Sequence, residues 1–246
     1  MKFCFTIDTE KDYKTGSYES LVSGFRKLQP ILAKHHIRPT LFVTCDCIEK
    51  YPKLFNEFKK RGWEISLHGY RHLRFDEMNK KQKEENLNKA IKCFKKYLKT
   101  SPIGLRAPQF SSDYELILLA NKKGFSYDSS IVQFPPSQFI FFRSKLPLFL
   151  KQMKFKSLIK KNNLKIKEIP SSSFILPISV FSLRKLPFFI FRILARLSIM
   201  IRKDSSLVFL SHSYEFNDKV IAKIDKFLNL YKDSFFITMS ELSKLQ

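Results

Sequence analysis

The sequence predicts an α/β fold in which seven or eight parallel strands, each followed by a helix, curl into a closed or partly closed barrel. Three observations carry that expectation. Short β-rich runs alternate with helical periodicity along most of the chain. Its 246 residues suit one barrel around one core, so residues 1–246 read as a single domain. Polar residues able to do chemistry recur at the carboxyl ends of the β-rich runs, where βα barrels keep their sites.

The strands are expected in order at KFCFTI (2–7), PTLFVT (39–44), WEISLH (63–68), IGLRA (103–107), FSYD (125–128), LKIKEI (164–169), LVFLSH (207–212) and FFITM (235–239). Each is rich in β-branched or aromatic residues. Helical periodicity falls between them, near 20–36, 49–61, 78–99, 112–122, 187–202 and 217–231. The alternation breaks down over 133–163. No internal repeat or low-complexity linker interrupts the pattern.

Phenylalanine is unusually frequent at 26, and the net charge of +23 favours anionic partners. No recognised nucleic-acid module accompanies that charge, so no nucleic acid is expected. Cys4, Cys45, Cys47 and Cys93 lack the spacing of a disulfide framework and read as reduced thiols. MKFCFTIDTEK turns acidic at residue 8, where a signal peptide would stay apolar. No run of about 18 uncharged apolar residues suggests a spanning helix. A cytoplasmic protein is the expectation, with peripheral contact at an inner membrane face left open.

SLHGYRH (66–72) holds two of the five histidines, His68 and His72. If residues 68–72 form a helical turn, both imidazoles share a face and can share a metal. Taken alone, such a pair is more often one packed and one solvated histidine. FTIDTE adds Asp8 and Glu10 at the end of the first strand. Neighbouring carboxylates push their pKa values apart, so one ligand and one general base is a natural division; an acidic turn at a helix start is the plainer alternative. Zinc suits two imidazoles and a carboxylate, though other divalent metals tolerate the set. Arg106 closes the fourth strand and could orient a carboxylate or form a surface ion pair. Asp128 closes the fifth and His212 the seventh. A carboxylate near a histidine makes it a better general acid. His35 and His36, at a helix end, receive no role.

Together these stretches resemble the polysaccharide deacetylases, the NodB-homology group of carbohydrate esterase family four. FTIDTE resembles the first motif, HGYRH the second, RAPQF the third, YDSS the fourth and FLSHSYEF the last, in family order. The likeness is greatest to the branch whose first motif reads Asp-x-Glu. It implies a distorted (β/α) barrel of NodB-homology type and metal-dependent release of acetate from an N-acetylated sugar. It implies Asp8 as base, Glu10, His68 and His72 as metal ligands, and Arg106 steering Asp8. It implies His212 as acid, tuned by Asp128, and an oxyanion donor at the backbone N–H of Gln109 or Phe110. Thr9 stands where commoner members carry a ligand aspartate, which is why Glu10 takes that place. The substrate would be an N-acetylhexosamine in a lipid-linked or nucleotide-linked glycan precursor. Three alternatives stay open: an amidase of the same fold acting on a non-sugar C–N bond, a non-catalytic binder of an anionic surface, and an inactive relative that keeps the sugar groove.

The motifs leave one segment unexplained. Residues 139–203 carry 15 Lys/Arg and a single acid, Glu168. Within 184–203, Lys185, Arg192, Arg196 and Lys203 fall on one helical face, with Phe188, Phe191 and Leu194 as apolar neighbours. That stripe reads as a solvated barrel helix, a contact with an anionic membrane surface, or part of the substrate groove.

Overall fold

In chain order the strands are β1 (Lys2–Thr9), β2 (Thr40–Val43), β3 (Glu64–Leu67), β4 (Gly104–Leu105), β5 (Tyr127–Asp128), β6 (Lys167–Glu168), β7 (Ser173–Phe174), β8 (Leu176–Pro177), β9 (Ser206–His212) and β10 (Phe235–Phe236). The helices are α1 (Glu19–Lys34), α2 (Cys45–Lys50), α3 (Pro52–Lys60), α4 (Lys80–Leu98), α5 (Tyr114–Lys122), α6 (Phe155–Lys161), α7 (Val180–Lys185), α8 (Phe188–Met200), α9 (Asp218–Asn229) and α10 (Met239–Lys244). The structure, a computed structural model, describes residues 1–133, 150 and 152–246. Much of 133–163, where the alternation breaks down, lies outside the described residues, as does the beginning of the basic segment at 139–149.

Eight strands form one parallel sheet, in the order β9–β1–β2–β3–β4–β5–β6, with β10 paired to the start of β1 on its β2 side. β1 is the axis: β9 runs beside it from Lys2 to Asp8, and β2 joins it from Thr6 to Thr9. β6 and β9 form no ladder among the described residues. Backbone bonds from Ser172 N–H to Val208 O (3.1 Å) and from Leu210 N–H to Ile178 O (3.1 Å) bridge that side. The barrel is therefore curled and partly closed, as expected. β7 and β8 form a separate antiparallel hairpin.

Alternation along the strands divides the interior into two apolar layers. Phe3, Phe5 and Ile7 of β1 point outward and pack with Leu105, Leu207 and Phe209 under the helices. Cys4 points inward and meets Phe42, Tyr127, Ile169 and Val208 in the barrel, with Met239 and Leu242 of α10 beneath. Burial on both sides explains the dense Phe content of the strands. The inward face of β1 continues upward through Thr6 and Asp8 to Glu10. All four cysteines are buried and free.

Several element boundaries differ from expectation, and four of the differences have a clear local reason. The helix expected at 49–61 starts earlier and is broken at Tyr51, because Pro52 opens α3 and disfavours a helical residue before it. The strand expected at 235–239 ends at Phe236, since Thr238 and Glu241 form a capping box that starts α10. Pro187 separates α7 from α8, so the helical stretch at 187–202 has a neighbour the periodicity had not shown. Residues 68–72 are not a helical turn. Gly69 takes φ +87°, and Asn86 Oδ1 accepts from Tyr70 N–H at 3.0 Å, bending the chain back over the barrel mouth.

Candidate active site

The top of the barrel gathers Asp8 near the end of β1, Glu10 just after it, His68 after β3, Arg106 after β4 and His212 ending β9. Alternate residues share a strand face, so the Asp-x-Glu spacing aims both carboxylates inward. Thr9 faces outward, where its hydroxyl donates to Ile7 O at 3.2 Å. Glu10, not the neighbouring position, is thus the second carboxylate in the mouth.

Glu10, His68 and His72 converge, with one ligand atom from each lying within 4.8 Å of the others. His72 Nε2 lies 2.5 Å and His68 Nε2 3.8 Å from Glu10 Oε2. His68 Nδ1 lies 2.8 Å from Arg106 O. A carbonyl only accepts, so the ring proton sits on Nδ1 and the Nε2 lone pair faces the two carboxylates. Burial holds the His68 pKa below its ordinary value, keeping that lone pair available. Glu10 Oε2 is buried, and its close neighbours are these two imidazole nitrogens. A fixed neutral imidazole, a second imidazole and a buried carboxylate oxygen crowded together fit a divalent cation.

Asp8 is buried in the same mouth, its Oδ2 4.0 Å from His68 Nε2. Arg106 is fully buried and holds it: Nη1 donates to Asp8 Oδ1 at 2.8 Å and to Thr6 Oγ1 at 3.0 Å. Nε and Nη2 donate to Ser129 O and Ser129 Oγ at 3.2 and 3.0 Å, and the guanidinium lies 4.1 Å from the Phe42 ring centroid. Burial alone would raise the Asp8 pKa. Arg106, with His68 and His212, outweighs it and holds the carboxyl below the usual range.

His212 stands half-buried opposite. Its Nδ1 is 3.1 Å from Glu215 Oε2, which also accepts from the His212 N–H at 2.8 Å. Burial disfavours its charged form, but Glu215, Asp8 and Glu10 push its pKa up to about 9. Tyr214 stacks on its ring at 5.2 Å, and exposed Tyr13 meets Tyr214 edge-on at 5.6 Å.

The expectation that Asp128 tunes His212 is corrected. Asp128 is in register with Leu105, whose side chain packs in the outer layer, so Asp128 points out of the barrel. Its Oδ1 accepts from Ser130 Oγ at 2.6 Å, and Ser130 Oγ accepts from Ala107 N–H at 2.7 Å. Asp128 also bonds its β6 neighbour Glu168, and burial raises its pKa. Its place is to brace the loop that follows β4. The carboxylate on His212 is Glu215, which the sequence reading passed over. Its signal was the Ser/His-x-x-Glu spacing of a cap, three residues after His212. Of the two expected oxyanion donors, Phe110 N–H is committed to Ala107 O at 3.1 Å, which leaves Gln109. Both residues have positive φ, 54° and 56°.

A family model described as polysaccharide deacetylase matches residues 10–127, a span that includes Glu10, His68, His72 and Arg106. The peptidoglycan deacetylase-like protein FGM2 of Gibberella zeae is 32% identical over 122 residues, 49% of this chain and 36% of its own length. The chain thus spans about a third of that curated relative. Among solved structures, the PuuE allantoinase superimposes with a TM-score of 0.70 at 14% identity, covering 99% of this chain and 89% of that one. The peptidoglycan deacetylase PdaC of Bacillus subtilis gives 0.58 at 13% identity, covering 98% and 89%. At such identities these two likenesses speak for the fold.

Proposed function

We propose, from the match of residues 10–127 to the polysaccharide deacetylase model together with the geometry of the site, that the chain is a metal-dependent hydrolase releasing acetate from an N-acetylated sugar of a glycan or glycan precursor. One observation supports the reading most: a buried carboxylate held ionised by Arg106 lies beside a three-residue metal-ligand set and faces a histidine held protonated. Base, electrophile site and acid are the three parts amide hydrolysis needs.

Glu10, His68 and His72 would hold the cation, zinc by preference of the donor set. When bound, a divalent cation polarises the amide carbonyl and acidifies the attacking water. Asp8 takes the water proton, since Arg106 and Thr6 keep its carboxylate ionised and aimed. The Gln109 N–H lies in the loop after β4, suited to the developing oxyanion. His212 gives its Nε2 proton to the departing amine, and Glu215, accepting from Nδ1, stabilises the imidazolium until then. Tyr214 and Tyr13 offer an aromatic wall beside His212 for the sugar ring. Four free buried thiols support a reducing compartment, where the substrate would be a lipid-linked or nucleotide-linked N-acetylhexosamine.

The test is acetate release from a panel of lipid-linked and nucleotide-linked N-acetyl sugars, with allantoin as a non-sugar amide. Activity on a sugar, lost with chelator and restored by zinc, is the expected result. Turnover of the non-sugar amide alone would move the chain to the amidase reading. Failure on the whole panel with the metal bound would mark an inactive relative.

A further inference from the structure

The outer face of α8 is unlike that of the other long helices. α4 exposes only polar residues, among them Lys81, Glu85, Lys89, Lys92 and Lys96. α8 exposes Phe189, Arg192, Ile193, Arg196 and Met200. At 3.6 residues per turn these five fall in a stripe about 100° wide. Phe189 is 62% exposed and Met200 78%. The apolar neighbours expected from sequence are a different set: Phe191 is buried in the core, and Phe188 and Leu194 pack against it.

α7 lies next to α8 across Pro187. It packs against α8 and exposes Phe181 and Lys185, while Ile201 and Lys203 are exposed just beyond the end of α8. Lys185, Arg192, Arg196 and Lys203 form no ion pair among the described residues. Glu168, the one acid in 139–203, is buried elsewhere, beside Asp128 in the sheet. Arg202, by contrast, is buried and paired with Asp204 at 3.1 Å, so the protein neutralises the cation it needs for packing and leaves these four uncompensated.

We propose that the α7–α8 face docks on an anionic lipid bilayer, with Phe189, Ile193 and Met200 entering the headgroup boundary and Lys185, Arg192, Arg196 and Lys203 meeting lipid phosphates. The charge pattern selects this occupant. A second copy of the chain would bring the same unpaired cations face to face. Nucleic acid would use the cations but not the apolar residues between them. Arginine stems lie along apolar surface while their heads reach phosphate, which suits an interface that is half wet. No helix among the described residues is long and apolar enough to cross a membrane, so the contact is peripheral.

The test is co-sedimentation of the whole chain with vesicles of neutral phosphatidylcholine, alone or with phosphatidylglycerol, at low and high salt. Binding is expected only to the anionic vesicles. The variant K185Q/R192Q/R196Q/K203Q should bind roughly 600-fold more weakly, since each of the four cations contributes roughly fivefold near such a surface. The variant F189S/I193S/M200S should also bind more weakly, and what remains should vanish at high salt. All seven positions are exposed, and an unchanged circular dichroism melt confirms that each variant folds. Parent-like binding by either variant overturns the proposal, as does parent binding to neutral vesicles alone. A parent that dimerises through this face and ignores vesicles overturns it too. The readout needs no substrate, so it stands apart from the deacetylase assignment.

Discussion

Arg106 holds His68 and Asp8 with different parts of itself: its carbonyl oxygen receives the His68 Nδ1 proton at 2.8 Å, and its guanidinium donates to Asp8 Oδ1 at 2.8 Å. One residue just past β4 therefore fixes both the tautomer of His68, the proposed metal ligand, and the charge of Asp8, the proposed base.

Breaking the buried pair has a structural cost. Arg106→Met leaves Asp8 charged and unpaired in the barrel, and should lower stability by about 3 kcal/mol. Adding Asp8→Asn removes the stranded charge and should recover part of that loss. Urea denaturation of the two variants measures it; an R106M protein as stable as the parent would contradict the pairing.

Metal content separates ligand from base. His68→Ala/His72→Ala should lose the divalent ion in elemental analysis. Asp8→Asn should keep most of it while the rate falls about 100-fold or more. Loss of metal and rate together in Asp8→Asn would show that Asp8 and Glu10 have exchanged roles.

The pH profile reads His212 and Glu215. The acid must be protonated, and its pKa is pushed up to about 9, so kcat/KM should fall as pH rises through that value. Glu215→Gln removes the nearest charge that favours the imidazolium, and its high-pH limb should move down by about one pH unit or more. The low-pH limb belongs to Asp8, held below the usual carboxylate range, and should stay where it is. A high-pH limb unmoved by Glu215→Gln would remove Glu215 from this role.

Tyr214 and Tyr13 should act on binding. Tyr13→Ala leaves the catalytic groups in place and should raise KM for the sugar with kcat little changed, because an exposed ring is lost from the wall of the mouth. A fall in kcat at unchanged KM would count against the aromatic wall.

Gly104 lies directly against the ring of Tyr127. A Cβ there would collide with the ring of Tyr127, whose hydroxyl donates to Glu64 Oε1 at 2.6 Å. Gly104→Ala should cost about 1–3 kcal/mol in thermal or urea unfolding. An unchanged melting temperature would mean that Tyr127 can move without consequence.

Strand and helix order, the curled barrel and the polar residues near its mouth were legible in the sequence, because alternation, helical period and residue type are local properties. The Asp-x-Glu spacing alone determined that Asp8 and Glu10 share a face. Which face each strand turns inward was decided by tertiary structure. Both sides of a barrel strand are buried, so hydrophobicity does not distinguish inside from outside, and only pairing register does. That register turns Asp128 outward with Leu105, and the turn after β9 gives His212 to Glu215 instead. The exposed side of α8 was decided in the same way. Its sequence is apolar on several faces, and packing against β7, β9 and α7 buried Phe191 while leaving Phe189, Ile193 and Met200 outside.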